Sequence, residues 1–189
     1  MLEKKSNFIS CIVLDIDETL IHTKHITQVP NDKFKKKSDI SFKLHDMYYY
    51  VLVRPHAKEF LQKIFENFDH VCIWTAAEKS YAKKIVSKLM TSEQQNSLLE
   101  FWSRKNCVVD NDGNYTKPLS KLFEKHSFLN AKNIVLVDNN ELITSLNKGI
   151  SINVPDFTGD KKDETLLKLS PSKKVNSLRR LGIYKNKLK

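Results

Sequence analysis

VLDIDETL, Val13 to Leu20, is the stretch on which the fold of this chain turns. It closes a short, nearly unbroken apolar run, FISCIVL (Phe8–Leu14), rich in β-branched residues. Such a run reads as a central strand buried on both faces. Where it stops, Asp15 and Asp17 follow with one residue between them, and then Glu18 and Thr19. On a chain that stays extended the two carboxylates project the same way. Like charges that close repel unless an opposite charge holds them. A divalent cation does so, and Mg2+ favours a few carboxylates together with phosphate oxygens and water.

Val71–Trp74, Ile134–Val137 and Ile150–Val154 are further short apolar runs, and Phe101–Val109 reads as another strand. Between them lie helical patterns. After Pro55, a good first helical residue, Ala57, Phe60, Leu61, Ile64, Phe65 and Phe68 fall at helical spacing. Tyr81, Ala82, Ile85, Val86 and Leu89 make one stripe of a helix over Glu78–Met90, and Leu119–Phe128 reads as a short helix. Lys24–Asp39, with KFKKK at its centre, reads as a basic loop. Ile40–Val53 reads as two strands around a turn near His45-Asp46. DNDGN (Asp110–Asn114) is a hairpin turn. It is not an EF-hand loop, because the glycine is misplaced and no Glu closes it. Alternating strands and helices imply an α/β fold: a central parallel sheet, helices on both faces and a small β insertion after the first strand. Ligands bind such sheets at the carboxyl ends of the strands, at a topological switch point. Asp15, Thr75 and Asp138 each directly follow an apolar run, so all three belong at that edge.

The residue types at that edge suit phosphoryl transfer. Asp138, Asn139 and Asn140 offer oxygen donors, and the absence of His and Cys from the set argues against zinc. Thr75 precedes a helix, where a hydroxyl and free backbone N–H groups make an anion site. Lys117 follows a turn and can supply a fixed positive charge. A carboxylate nucleophile, cationic clamps and a second carboxylate to handle the proton are the parts this chemistry needs.

These residues also carry a resemblance. DIDETLIHT (Asp15–Thr23) resembles the DxDxT motif of haloacid-dehalogenase-type phosphatases, in the form found in the branch acting on the C-terminal repeat domain of RNA polymerase II. YYVLVRPHAKEFL (Tyr49–Leu61), CIWTAAEKSYA (Cys72–Ala82), Ser103–Leu122 and IVLVDNN (Ile134–Asn140) resemble that branch's later segments in order. The resemblance implies a Rossmann-like haloacid-dehalogenase fold and a Mg2+-dependent protein serine/threonine phosphatase. Asp15 would become an aspartyl phosphate, and Asp17 would act as proton donor and then as base. Thr75 and Lys117, with Arg104 and Thr19, would bind the phosphoryl group. Asp15, the Asp17 carbonyl and Asn139 would hold Mg2+, with Asp138 beside them. In the family an aromatic after the first motif helps shape a pocket for a substrate proline; the matching position here is near His25.

The 189 residues suit a single catalytic domain, with a core over about 8–169 and a basic segment over 170–189. Apolar residues make up 40%, enough for a core, and the net charge of +10 favours an anionic partner. Cys11, Cys72 and Cys107 form no CxxC pair and read as reduced thiols of an intracellular protein, nuclear or cytoplasmic. No apolar run approaches a bilayer span, and no nucleic-acid-binding motif occurs. The expected partner is a phosphorylated protein or peptide, met by a monomer. Two other functions stand beside this one. The first is a phosphatase of a small metabolite or a nucleic-acid end, disfavoured because only about 35 residues separate the first motif from the next helix. The second is a non-catalytic domain like a mitochondrial translocase receptor, disfavoured by the intact acidic and basic residues.

Overall fold

The apolar runs become strands because only a sheet, or a helix, pairs every backbone N–H and C=O in a dry core. The structure is a computed structural model and describes residues 10–28, 32–171 and 173–174. Most of the basic segment 170–189, with Phe8 and Ile9, lies outside the described residues. Strand β1 is Cys11–Leu14, all four residues buried. Lys24–Asp39, expected as loop, is mostly ordered structure. Lys24 lies in β2 (Ile21–His25), a 3-10 turn covers Ile26–Gln28, and helix α1 covers Asp32–Lys37. Lysine is a good helix former, and Lys35, Lys36 and Lys37 in the last turn suit the negative end of the helix dipole. Strands β3 (Ile40–Leu44) and β4 (Met47–Val53) turn at His45 and Asp46. Both of those residues have positive φ, 47° and 63°, the sign that a two-residue type I′ hairpin requires.

Helix α2 (Ala57–Asn67) starts two residues after Pro55, because His56 takes a left-handed φ of 64° at the N-cap. Strand β5 (His70–Trp74) and helix α3 (Lys79–Leu89) match the sequence reading. Helix α4 (Ser92–Asn96), capped reciprocally by Thr91 and Gln94, is too short and polar to show a periodic signal. The strand expected over Phe101–Val109 is broken. Strand β6 stops at Trp102 (Glu100–Trp102), because the Ser103 and Asn106 side chains cap each other's backbone and force a 3-10 turn over Arg104–Asn106. The remainder is β7 (Val108–Val109), which pairs antiparallel with β8 (Tyr115–Thr116) across the Asp110–Asn114 turn. Helix α5 (Ser120–Lys125), β9 (Ile134–Asp138), α6 (Glu141–Leu146), β10 (Ser151–Asn153) and α7 (Thr165–Lys168) follow.

The five-stranded sheet runs β10-β9-β1-β5-β6, every neighbouring pair parallel. From β1 the chain steps one way to β5 and β6, then returns to lay β9 and β10 on the other side. The switch point therefore lies between β1 and β9. There Leu14 is in register with both Val137 and Ile73. Side chains alternate between two cores, as a fully covered sheet demands. Ile12, Leu14, Val71, Ile73, Val135 and Val137 pack with α2 and α3. Cys11, Val13, Cys72, Trp74, Ile134 and Leu136 pack with α5 and Ile143 of α6. The insertion is a separate antiparallel sheet, β2-β4-β3, with α1 against it.

Arg54, just past β4, joins insertion and core. It is 1% exposed. Its guanidinium grips Asp163 through Nε (3.0 Å) and Nη2 (2.8 Å), and it donates to the carbonyls of Thr19 (3.0 Å) and Pro155 (3.0 Å). The Phe157 N–H donates to the Glu18 carbonyl (2.7 Å), so the 155–163 segment backs the DxDxT loop. Arg54→Met keeps the packing length but leaves Asp163 and these carbonyls without their donor. Losing one partner of a buried ion pair costs about 3–5 kcal/mol, and partly enclosed Asp163 places this case near the lower figure. Chemical denaturation should show the loss. The Arg54 hydrogen bond holds the Asp163 carboxyl below its usual range. Stability from this contact is therefore present above the unfolded carboxyl pKa and lost as pH falls through the folded one. The variant's stability should depend less on pH across that acid window.

Candidate active site

Backbone bonds just past the strand ends place the chemistry. The Asp15 N–H donates to the Val137 carbonyl (3.0 Å), the Thr75 N–H to Trp102 (3.0 Å) and the Val154 N–H to Asp138 (3.1 Å). The chain stays extended only to Asp17. Glu18 then takes a left-handed φ of 56°, and the Ile16 carbonyl accepts from Leu20 (2.8 Å) and Ile21 (3.2 Å), folding the motif back under itself.

Asp15, Asp17, Thr75, Arg104, Lys117, Asp138 and Asn139 all line one open cleft of about 330 Å3 at this edge. Lys117 is 1% exposed and donates to Asp15 Oδ1 and to Asp138 Oδ2 (2.7 Å). The other Asp138 oxygen accepts the Asn140 N–H (2.9 Å). Each oxygen of Asp138 thus accepts one hydrogen bond, and the residue is the second anchor of Lys117. The other oxygen of Asp15 accepts no hydrogen bond from a described residue, nor does the Asp17 carbonyl.

Thr75 Oγ1 accepts the Ala77 N–H (3.0 Å) and lies 3.4 Å from Asp17 Oδ2. Arg104 fixes the same loop, its Nε donating to the Ala76 carbonyl (2.8 Å) and its Nη1 to Glu78 (2.9 Å). Thr19, expected to touch phosphate, is turned away from the cleft. It is fully buried, its hydroxyl donates to Asn139 Oδ1 (3.0 Å), and it accepts the Asn139 N–H (3.2 Å). Asn139 Nδ2 donates to Asp156 (2.9 Å), which fixes the amide orientation from the other side. Three residues that the sequence reading left out support the site: Tyr81, Asn147 and Asp156. The Tyr81 hydroxyl donates to Asp17 Oδ1 (2.6 Å) and lies 2.8 Å from Thr23 Oγ1. Asn147 Nδ2 donates to the Lys117 carbonyl (2.9 Å) while its Oδ1 accepts the Leu119 N–H (3.1 Å), pinning the chain that carries the lysine. Tyr81 showed in the sequence only as one member of an apolar stripe, and Asn147 and Asp156 carried no local signal.

Burial pushes the Asp15 carboxyl up to about 7; the Lys117 ammonium opposes this, and the Asp138 and Asp17 charges add to it. Burial likewise raises Asp17, against the hydrogen bond from Tyr81. For Lys117, burial works against the charge, but the two carboxylates outweigh it and hold the ammonium above its usual range. The Tyr81 phenol is raised by burial and by the Asp17 charge, so it remains a donor. An ammonium between two carboxylates, a third carboxylate with a raised pKa and an anion-binding threonine loop can take up a phosphoryl group and move one proton.

Residues 10–180 match the NLI interacting factor-like phosphatase family. The chain is 31% identical over 168 residues to the human CTD small phosphatase-like protein, covering 85% of this chain and 54% of that protein. It spans about half the length of this curated relative. Among solved structures it resembles Fcp1, an essential RNA polymerase II CTD phosphatase, with a TM-score of 0.59 at 23% identity, covering 96% of this chain and 53% of that one. It also resembles the N-terminal part of BF1531 from Bacteroides fragilis, containing a phosphatase domain complexed with Mg, with a TM-score of 0.50 at 14% identity over 88% of this chain and 42% of that one. Sheet order and likeness together show the haloacid-dehalogenase-type phosphatase fold. By a match across most of its length, the chain belongs to the NLI interacting factor-like phosphatase family.

Proposed function

We propose that this chain is a Mg2+-dependent protein serine/threonine phosphatase working through Asp15, on the RNA polymerase II C-terminal repeat or another phosphopeptide. The observation that carries the reading is the convergence of Asp15, Lys117 and Asp138 beside Asp17 in one open cleft. The donors fit Mg2+. The unpartnered Asp15 oxygen, the unpartnered Asp17 carbonyl and Asn139 Oδ1 are hard oxygen ligands. Among the described residues no group of three or more His, Cys, Asp or Glu gathers as a metal cluster, in keeping with a site of one carboxylate, one carbonyl and one amide. With Asp17 protonated, Asp15 and Asp138 against one buried ammonium leave a net negative charge at the cleft, which favours a cation there. When bound, the ion would neutralise charge and template an in-line displacement.

The chain's own residues account for the rest. The Asp15 carboxylate attacks phosphorus, the bond to the seryl or threonyl oxygen breaks, and Asp17 gives that oxygen its proton. In the second half Asp17 takes a proton from water, which attacks the phosphorus of the aspartyl phosphate and frees Asp15. Lys117 and the Thr75 loop bear the phosphoryl charge. Asp17 suits the first role because burial raises its pKa and favours the protonated form.

A peptide substrate is favoured by the insertion. Among the described residues it amounts to three strands, a 3-10 turn and one short helix, too little to enclose a small metabolite. On its core-facing side His25, Phe42 and Tyr49 form an aromatic cluster with Tyr81, rings 5.3 to 6.4 Å apart. This cluster begins at the Asp17 hydrogen bond and gives a peptide side chain an apolar surface to rest on.

With Mg2+ the protein should hydrolyse p-nitrophenyl phosphate, chelation should stop it, and Asp15→Asn should abolish turnover. An active Asp15→Asn protein would refute the mechanism. Thr19→Val, an isosteric loss of the Asn139 hydrogen bonds, should weaken Mg2+ binding about tenfold, as removal of an outer-shell partner does, read by calorimetry on the Mg2+ titration. Tyr81→Phe removes the donor that orients Asp17. It should lower kcat on a phosphoserine peptide roughly tenfold or more, yet leave the first-turnover burst of nitrophenolate from p-nitrophenyl phosphate nearly untouched, because nitrophenolate departs without a proton.

A further inference from the structure

We propose that helix α1 is a docking surface for acidic residues flanking the phosphorylated residue of the substrate, an inference that rests on the peptide phosphatase reading above. Lys33, Lys35, Lys36 and Lys37 fall within five consecutive residues of the helix, and Lys33, Lys36 and Lys37 are exposed. Lys33 stands three and four positions before Lys36 and Lys37, a spacing at which like charges repel on a helix. Exposed Lys36 and Lys37 offer their ammonium groups to an anionic partner.

The helix is anchored at the rim of the cleft. Glu18 lines the cleft, and its carboxylate is 3.1 Å from His22 Nδ1. The His22 ring meets the Phe34 ring of α1 edge-on at 5.8 Å, and the Lys24 ammonium lies 5.2 Å from the same Phe34 ring. Lys35 sits over Tyr50, 5.9 Å away, whose strand position is in register with Lys24. The alternation of β2 therefore points Thr23 toward Tyr81 and Asp17, while His22 and Lys24 carry the basic helix. Asp39, the carboxylate just past α1, is already held by Lys161, and Lys36 and Lys37 form no ion pair with a described residue.

A membrane surface attracts the same charge, but a surface-lying helix also needs an apolar face to bury. Phe34 is half-buried against His22, and none of the large exposed apolar side chains lies on α1 or β2. The patch is polar and adjoins the catalytic cleft, which favours a peptide already held there. An extended peptide advances about 3.3 Å per residue, so the acidic residues to vary are those within several positions of the phosphorylated one.

The test compares two peptides with one phosphoserine in common, one bearing Asp or Glu at those positions on either side, the other Gln. The wild-type protein should prefer the acidic peptide about five- to tenfold in kcat/KM, through KM, and the preference should shrink at high salt. In a variant with Lys33, Lys35, Lys36 and Lys37 each replaced by Gln the ratio should fall to near one. Equal use of the two peptides by the wild type, or an undiminished preference in the variant, overturns the proposal. So does sedimentation with phosphatidylserine vesicles that the four substitutions abolish while the peptide preference stays unchanged; that result assigns the helix to a membrane. Anisotropy of the same labelled peptides on Asp15→Asn protein reads docking without turnover. If no phosphate ester is hydrolysed, the catalytic reading fails, and the anisotropy ratio still decides the docking surface.

Discussion

The ammonium of Lys117 between Asp15 and Asp138 is the constraint around which the molecule is arranged. Parallel register sets Leu14 beside Val137, so the next residues of β1 and β9 bring two carboxylates together in a buried edge. Neither can stay ionised there without a cation, and burial alone already drives Asp15 upward. The lysine cannot come from either strand, because their side chains fill the two cores. It arrives from the segment after the β7–β8 hairpin, about a hundred residues from Asp15, and Asn147 clamps that segment from the far side. An arrangement of this kind contributes little net stability, since the desolvation of three charges offsets their attraction. Its consequence is a fixed charge distribution, already oriented before any substrate enters.

A second constraint follows from the first. A chain leaving β1 with two carboxylates must turn away at once, and the left-handed Glu18 makes that turn. The turn exposes carbonyls to the interior, and Arg54 and the Phe157 N–H satisfy them. The insertion is therefore held to the catalytic loop on both sides: through Arg54 at the end of β4, and through Thr23 on β2, whose hydroxyl lies beside Tyr81 and Asp17. Tyr81 sits where helix α3, the insertion and the catalytic loop meet, with its ring among Phe42 and Tyr49 and its hydroxyl on Asp17.

What was legible in the sequence is what short-range pattern encodes. β1, β5 and β9 showed because strands buried on both faces read as unbroken apolar runs, and the polar residue ending each run marked the functional edge. The β3–β4 hairpin and the Asp110–Asn114 turn showed through turn chemistry. The break at Ser103 did not, because a reciprocal side-chain cap between Ser103 and Asn106 overrides an apolar run that looks continuous. Helix α1 was hidden by a lysine-rich composition equally at home in a loop. The motif residues Asp15, Asp17, Thr75, Lys117, Arg104, Asp138 and Asn139 do meet in one cleft. Thr19 belongs to the same motif but faces inward, because the position two residues beyond Asp17 lies past the turn. Arg54–Asp163, Asn147 and Tyr81–Asp17 are pairings across 109, 30 and 64 residues, and no local periodicity announces such contacts.

The cleft's openness then acquires a physical sense. A small phosphorylated metabolite offers few atoms beyond its phosphate, and an enzyme that must select it encloses it. Here the described residues place no cap over the site, only a three-stranded sheet to one side with an aromatic cluster and a basic helix. On the phosphopeptide reading, selectivity would come from what the substrate extends past the phosphate, along these neighbouring surfaces. A polymer supplies that extension without a second loss of translational freedom once its phosphate is bound, because the flanking residues are already tethered nearby. The residues proposed for the chemistry are fixed by the sheet, whereas the aromatic cluster and the basic helix stand on the insertion, which meets the Asp15–Thr19 loop through Thr23 and Arg54.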